Sequence, residues 1–349
     1  MPSILSVATA APPNRIDQAT ICREFSRLCV GVPDVERLMP VFARSGVDAR
    51  HLIHQPEWYL QERSWGERNR EYQERALELG EQAARASLAQ AGLTANQIDH
   101  IYFVSTTGLA TPSLDALIAD RLGMRPTVRR SPLFGLGCAA GAGALSRAAD
   151  VLTARPGECA LVVSVEICSL VFSKAAKTPT DLIGVALFGD GAAAAVLSGD
   201  ATNATGIRIV GTETRMFPDS KHLMGWDFTS DGMRLILARD IPEVVRDRIA
   251  PVVSAFAQRH GFAVNALDHH VLHPGGPKVM STYRKSFDLP DEALHLARGC
   301  MREYGNLSSA AVLFMLSSLM ASGRPKPGDM GLMLALGPAF GAEMLVLAW

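Results

Sequence analysis

Gly135-Leu136-Gly137-Cys138-Ala139-Ala140-Gly141-Ala142-Gly143-Ala144-Leu145 sets a lone cysteine among small residues, where an apolar run gives way to an alanine-rich helix. A thiol at a helix N-terminus faces unpaired backbone N–H groups and the positive end of the helix dipole, and both favour thiolate. The small neighbours leave room for an acyl thioester to reach the sulfur. The same residues spell Gly-x-Gly-x-x-Ala from Gly135 to Ala140, a dinucleotide-loop pattern, and a free cysteine is often a small buried hydrophobe. Nucleophile, phosphate loop and core residue all stay open on this stretch alone.

Outward from Cys138 the chain repeats itself. Asn96-Gln97-Ile98-Asp99-His100 precedes an apolar run at 101–105, and Asn265-Ala266-Leu267-Asp268-His269 precedes 270–273. Cys138 lies 39 residues after Asp99 (138 − 99), and Asn306 lies 38 after Asp268 (306 − 268). Strand-like runs follow at 160–165 and 331–336, then Phe188-Gly189 and Phe340-Gly341, each leading into a strand that ends at Leu197 or Ala348. Order kept at such spacing marks a duplicated unit. Each unit alternates strand and helix, so the expected class is α/β, with two buried helices side by side between two mixed sheets. Cys138 and Asn306 then open equivalent helices, and His273, ending the strand that starts the second unit, is placed to join them. The dinucleotide reading weakens accordingly. Ser131-Pro132 interrupts the strand before Gly135, and the second unit has no glycine loop.

Composition narrows the function classes. The 349 residues are 48% hydrophobic with a formal net charge of −1, enough for one large or two fused domains. Lys and Arg form no basic run with interleaved aromatics, so nucleic acid is not an expected partner. Cys22, Cys29, Cys138, Cys159, Cys168 and Cys300 form no Cys-x-x-Cys pair and no cluster with histidine, which argues against a metal site and a disulfide framework. Reduced thiols and a cytoplasmic location follow. Met1-Pro2-Ser3-Ile4 does not begin a signal peptide, and the apolar stretch 307–321, broken by serines, is a buried helix too short to span a membrane. A strand is expected over 4–10 and helices over 17–29, 35–43 and 67–91. Trp58 and Trp65 read as packing residues.

A Cys, a His and an Asn on one cavity could hydrolyse, with His deprotonating Cys, or condense thioesters, with His and Asn donating to an enolate oxygen. The surrounding motifs favour condensation. Gly-Cys-x-x-Gly at 137–141, Phe188-Gly189-Asp190-Gly191-Ala192-Ala193, His273-Pro274-Gly275-Gly276-Pro277 and Tyr304-Gly305-Asn306-Leu307-Ser308-Ser309-Ala310 resemble the signatures of the type III polyketide synthases, the chalcone synthase superfamily, over nearly the whole chain. The resemblance implies a thiolase-like layered αβαβα fold of two related halves. Residues 1–211 would carry the Cys nucleophile and 212–349 the His and Asn.

By the same resemblance, Cys138 takes an acyl starter from acyl-CoA while His273 stabilises its thiolate as an ion pair. Malonyl-CoA then loses CO2 with its thioester oxygen facing His273 and Asn306. CoA thioesters are the substrates, no cofactor is required, and a homodimer is the expected assembly. Phe188 matches the aromatic gatekeeper, and Leu235 stands where the family carries a second gatekeeper phenylalanine. Thr106, Gly337 and Pro338 match cavity positions, while Arg44, Arg239, Gly275, Gly276 and Lys278 match the CoA-binding rim. Thr111 replaces a methionine that many members project into the partner's cavity. The segment Arg215-Met216-Phe217-Pro218-Asp219-Ser220 with Met224-Gly225-Trp226-Asp227 is similar to bacterial members that take fatty acyl starters and make alkylresorcinols or alkylpyrones. The alternatives are a malonyl-primed tetrahydroxynaphthalene-type synthase and a non-catalytic protein that binds CoA esters.

Overall fold

The computed structural model describes residues 1–28, 35–172, 178–202 and 206–349. Nine strands form one mixed sheet: β1 (Ser3–Ala10), β2 (His100–Val104), β3 (Arg129–Leu133), β4 (Cys159–Ile167), β5 (Asp190–Ser198), β6 (Ile207–Arg215), β7 (His269–Leu272), β8 (Met330–Gly337) and β9 (Gly341–Ala348). Their spatial order is β7-β8-β9-β6-β1-β5-β4-β2-β3. The duplication is explicit in the pairing. β2 runs parallel to β4, which is antiparallel to β5; β7 runs parallel to β8, which is antiparallel to β9.

Side chains repeat along with strands. Asp99 accepts from the N–H of Cys159 at 2.8 Å, and Asp268 from that of Met330 at 2.9 Å. His100 Nε2 meets Glu158 at 2.6 Å, and His269 Nε2 meets Asp329 at 2.9 Å. The Asp-His pair of each unit is therefore a clip that fixes where the next parallel strand begins.

Five helices make the layers. α1 (Trp65–Ala91) and α2 (Leu114–Leu122) cover one face of β1, β2, β4 and β5. α3 (Ala140–Ala154) and α5 (Ala311–Ala321) lie together in the middle, and α4 (Ala250–Arg259) packs outside β9. α1 starts at Ser64, whose hydroxyl and Glu67 satisfy each other's backbone N–H groups, and stops at Gly92 in the left-handed region. α5 is apolar almost all round because it is enclosed almost all round. α3 explains the small residues that resembled a phosphate loop: a Cβ on Gly141 would lie 2.1 Å from the carbonyl oxygen of Ser309. Glycine there lets the turn after Asn306 seat against the helix after Cys138.

Three expectations need correction. The two sheets are joined into one, because β1 and β6 pair at Ser3 with Arg208 and Ile4 with Ile207. β6 also pairs with β9, across Arg215 and Ala342. The helix expected over 35–43 is two short turns, Val35–Leu38 and Pro40–Arg44, since proline cannot donate to the preceding turn. The helix expected over 17–29 is observed as Gln18–Leu28, and Cys29 lies outside the described residues. Pro132 does not abolish its strand but sits in β3, at the sheet edge where a missing N–H is tolerated.

Candidate active site

Cys138 lies in a 3₁₀ turn, Gly137–Ala139, that precedes α3, and Asn306 lies just before the equivalent turn, Ser308–Ala310, that precedes α5. Gly137 takes φ of +51°, and a Cβ there would lie 2.4 Å from Cδ of Pro338. Gly337 lies equally close from the other side, its notional Cβ 2.1 Å from the carbonyl oxygen of Leu136. The Gly337-Pro338 corner thus cradles the backbone that carries Cys138.

A cavity of about 530 Å³ brings Cys138, His273 and Asn306 together, with Thr106, Phe188, Leu235, Gly275 and Pro338 also in its walls. Met224, Trp226, Leu187 and Leu237 make the remainder largely apolar. Cys138 is 7% exposed, His273 2% and Asn306 3%. Asn306 Oδ1 accepts from the Ser308 N–H at 2.9 Å, which orients the amide so that its NH2 end is the donor left over. Neither ring nitrogen of His273 has a partner among the described residues, so both remain for sulfur and substrate.

Burial decides the resting charges. It pushes the Cys138 thiol up to about 12 and drives the His273 imidazole down to about 4. Both shifts disfavour charge on the two side chains, and they oppose the turn's N–H groups, which favour thiolate.

Glu166 was not singled out from sequence. It is fully buried in β4, and its carboxyl is held above the usual range by desolvation. Cys138 Sγ–H donates to Ser308 Oγ at 3.5 Å, Ser308 Oγ donates to Glu166 at 3.3 Å, and Thr106 Oγ1 donates to Glu166 at 3.2 Å. Ser309 Oγ donates to the same carboxyl group. A polar chain therefore runs from the sulfur to a buried acid, and Thr106 belongs to it. The signal was a lone carboxylate in the otherwise apolar run Cys159–Ile167.

Phe188 is held by its backbone. Asn306 N–H donates to Leu187 O at 2.7 Å and Gly189 N–H to Asn306 O at 3.1 Å, so gate and amide are stitched together. Arg50, 1% exposed, donates to the carbonyl oxygens of Phe188 at 2.8 Å and Ala186 at 2.9 Å. Burial lowers the guanidinium to about 9, and Asp190's own burial raises its carboxyl to about 6 against the pull of Arg50. Sequence reasoning also missed this arginine. The CoA-rim candidates divide: Gly275 lines the cavity, whereas Arg44, Arg239 and Lys278 are exposed outside it and Gly276 is buried behind it. A Cβ on Gly46 would lie 3.5 Å from Pro277, so the turn after Arg44 abuts the helix that carries Lys278.

Residues 2–201 match the family model of chalcone and stilbene synthases, N-terminal domain, and residues 208–348 match that of the C-terminal domain. The chain is 38% identical over 352 residues to 1,3,6,8-tetrahydroxynaphthalene synthase of Streptomyces peucetius subsp. caesius, covering 99% of this chain and 93% of that one. It is 33% identical over 324 residues to 3,5-dihydroxyphenylacetyl-CoA synthase of Amycolatopsis balhimycina, covering 90% and 87%. The crystal structure of tetrahydroxynaphthalene synthase from Streptomyces coelicolor A3(2), a bacterial type III polyketide synthase, superposes with a TM-score of 0.95 at 30% identity over 99% of both chains. The Cys138 turn, its duplicated partner and these matches along the whole length lead to one conclusion: the chain belongs to the chalcone and stilbene synthase family and is a type III polyketide synthase, an enzyme of decarboxylative condensation.

Proposed function

We propose that Cys138 is the acyl-carrying nucleophile and that His273 and Asn306 form the enolate-stabilising pair. The observation that carries this reading is the meeting of the three side chains on one buried cavity, with the Asn306 amide locked as a donor. Cys138 Sγ attacks the starter thioester and its proton passes to the neutral His273, which returns it to the departing CoA thiolate. Malonyl-CoA then lies with its thioester oxygen toward His273 and the Asn306 NH2. Loss of CO2 leaves an enolate whose charge meets these donors only as it develops, so they lower the barrier rather than deepen ground-state binding. The enolate carbon attacks the Cys138 thioester, and the lengthened chain cyclises. Arg44, Arg239 and Lys278 would receive the CoA phosphates at the rim.

The starter we infer is a fatty acyl group, giving an alkylresorcinol or alkylpyrone. Leu187, Phe188, Met224, Trp226, Leu235 and Leu237 offer hydrocarbon, and each methylene buried there contributes about 0.8 kcal/mol. A malonyl-primed synthase is the second reading, favoured by the name of the Streptomyces peucetius relative. The protein is offered malonyl-CoA alone and with a ladder of acyl-CoA starters, and products are weighed by mass spectrometry. Long-chain pyrones or resorcinols are expected; tetrahydroxynaphthalene as the main product from malonyl-CoA alone overturns the starter. Dimerisation is part of the same proposal: Leu109 and Phe134, 41% and 49% exposed, flank the exposed Thr111 loop and offer an apolar face to a second copy.

A further inference from the structure

We propose that a second apolar chamber, behind Phe188, receives the tail of the acyl chain carried on Cys138; this rests on the fatty-acyl reading above. The chamber's walls include Ile21, Phe25, Leu52, Leu60 and Phe172. Phe188 is the residue it shares with the Cys138 cavity.

What divides the two chambers is side chain. The rings of Phe172 and Phe188 lie with centroids 6.5 Å apart. At Gly184 the Phe172 ring and Leu235 occupy the place of a side chain: a Cβ there would lie 2.5 Å from Phe172 and 3.1 Å from Leu235. Leu235 lines the Cys138 cavity and Phe172 lines the rear chamber, so at Gly184 the two spaces are one side chain apart. Arg50 and Asn306 fix the backbone of Phe188, and a χ rotation moves its ring alone. Most polar groups of the rear wall are engaged, the Arg50 Nε–H being the exception. The Tyr59 hydroxyl pairs with Ser169 at 2.8 Å, Arg50 with main-chain carbonyls, and Glu24 with Arg27, leaving a lumen that is largely hydrocarbon.

A rival, roomier space lies against Tyr72, Phe103, Leu109, Leu133 and Phe134. It shares no lining residue with the Cys138 cavity. Between them stand the backbone of 105–108 and buried hydrogen bonds, Thr106 N–H to Glu166 at 3.1 Å and Ile167 N–H to Thr107 Oγ1 at 2.9 Å. Opening that wall breaks buried hydrogen bonds, whereas opening the other turns a ring.

The full chain is tested with malonyl-CoA and either hexanoyl-CoA or hexadecanoyl-CoA, alongside Ile21→Trp and Leu60→Trp, which fill the rear chamber away from the sulfur. In each variant kcat/KM for hexadecanoyl-CoA is expected to fall about tenfold or more, while that for hexanoyl-CoA stays within about twofold. Undiminished use of hexadecanoyl-CoA by both variants overturns the proposal. A diazirine at the tail end of hexadecanoyl-CoA, photolysed on the wild-type acyl-enzyme, reads the position without a variant. Labels on peptides carrying Phe25, Leu52 or Phe172 support the rear chamber; labels confined to Leu109, Leu133 or Phe134 overturn it. Failure of the wild-type enzyme to load hexadecanoyl-CoA overturns the fatty-acyl reading itself, and this is seen before any variant is compared.

Discussion

The two halves of the molecule share a backbone plan and differ at the few positions that face the cavity. Counting from the clipped strand starts, Cys159 and Met330, Glu166 (166 − 159 = 7) corresponds to Gly337 (337 − 330 = 7). In the first half a carboxylate reaches the Asn306 turn through Ser308 and Ser309. In the second, nothing larger than hydrogen fits, because the backbone of the Cys138 turn occupies the place of the side chain. Counting from His100 and His269, His273 (273 − 269 = 4) corresponds to Val104 (104 − 100 = 4), so the imidazole too belongs to one half only. Duplication supplied two equivalent helix starts made unequal by sequence: a cysteine at one, an asparagine with an oriented amide at the other.

That division of labour is most sharply broken at its tips. Cys138→Ala is expected to abolish the acyl-enzyme seen by intact-protein mass spectrometry while leaving malonyl-CoA decarboxylation measurable. Asn306→Ala should do the reverse, loading the starter yet losing roughly a hundredfold to a thousandfold in decarboxylation. Equal loss of both steps in both variants would refute the division.

The Glu166 and Gly337 contrast gives the next effect. Gly337→Ala sets a methyl against a backbone oxygen that cannot retreat without moving the Cys138 turn, and should destabilise by about 4 kcal/mol or more in urea titrations. A variant as stable and active as wild type would show that the corner yields.

The smallest effect tests the His273 and Val104 contrast. The folded-state value near 4 lies below the 6.5 of an accessible histidine, so the unfolded chain binds the proton more tightly. Stability is therefore present above pH 6.5 and lost as pH falls toward 4, by up to about 3 kcal/mol. His273→Gln should lack this part of the acid slope in denaturation measured between pH 7 and 5, and an unchanged slope would place the titration elsewhere.

Much of this was legible beforehand because duplicated order and spacing are properties of a string. The Asp-His clips, the two helix starts and the tight glycines each mark where one strand or turn must begin, so Cys138, His273 and Asn306 could be paired without coordinates. Arg50 and Glu166 could not, since each acts on a partner far away along the chain: Arg50 on the carbonyl oxygens of Ala186 and Phe188, Glu166 on Ser308 and Ser309. A helix N-terminus can be read locally, whereas burial is a sum over everything packed around a group. Burial opposes the thiolate expected at Cys138 for that reason. By itself the sequence determined the α/β duplication and the three candidate side chains, because period and motif are local and additive. Only the tertiary structure decided that the halves fuse through Ser3 and Ile4 into one sheet, that both candidates for the ion pair are desolvated, and which walls divide the cavities, because each depends on contacts between segments the chain brings together only on folding.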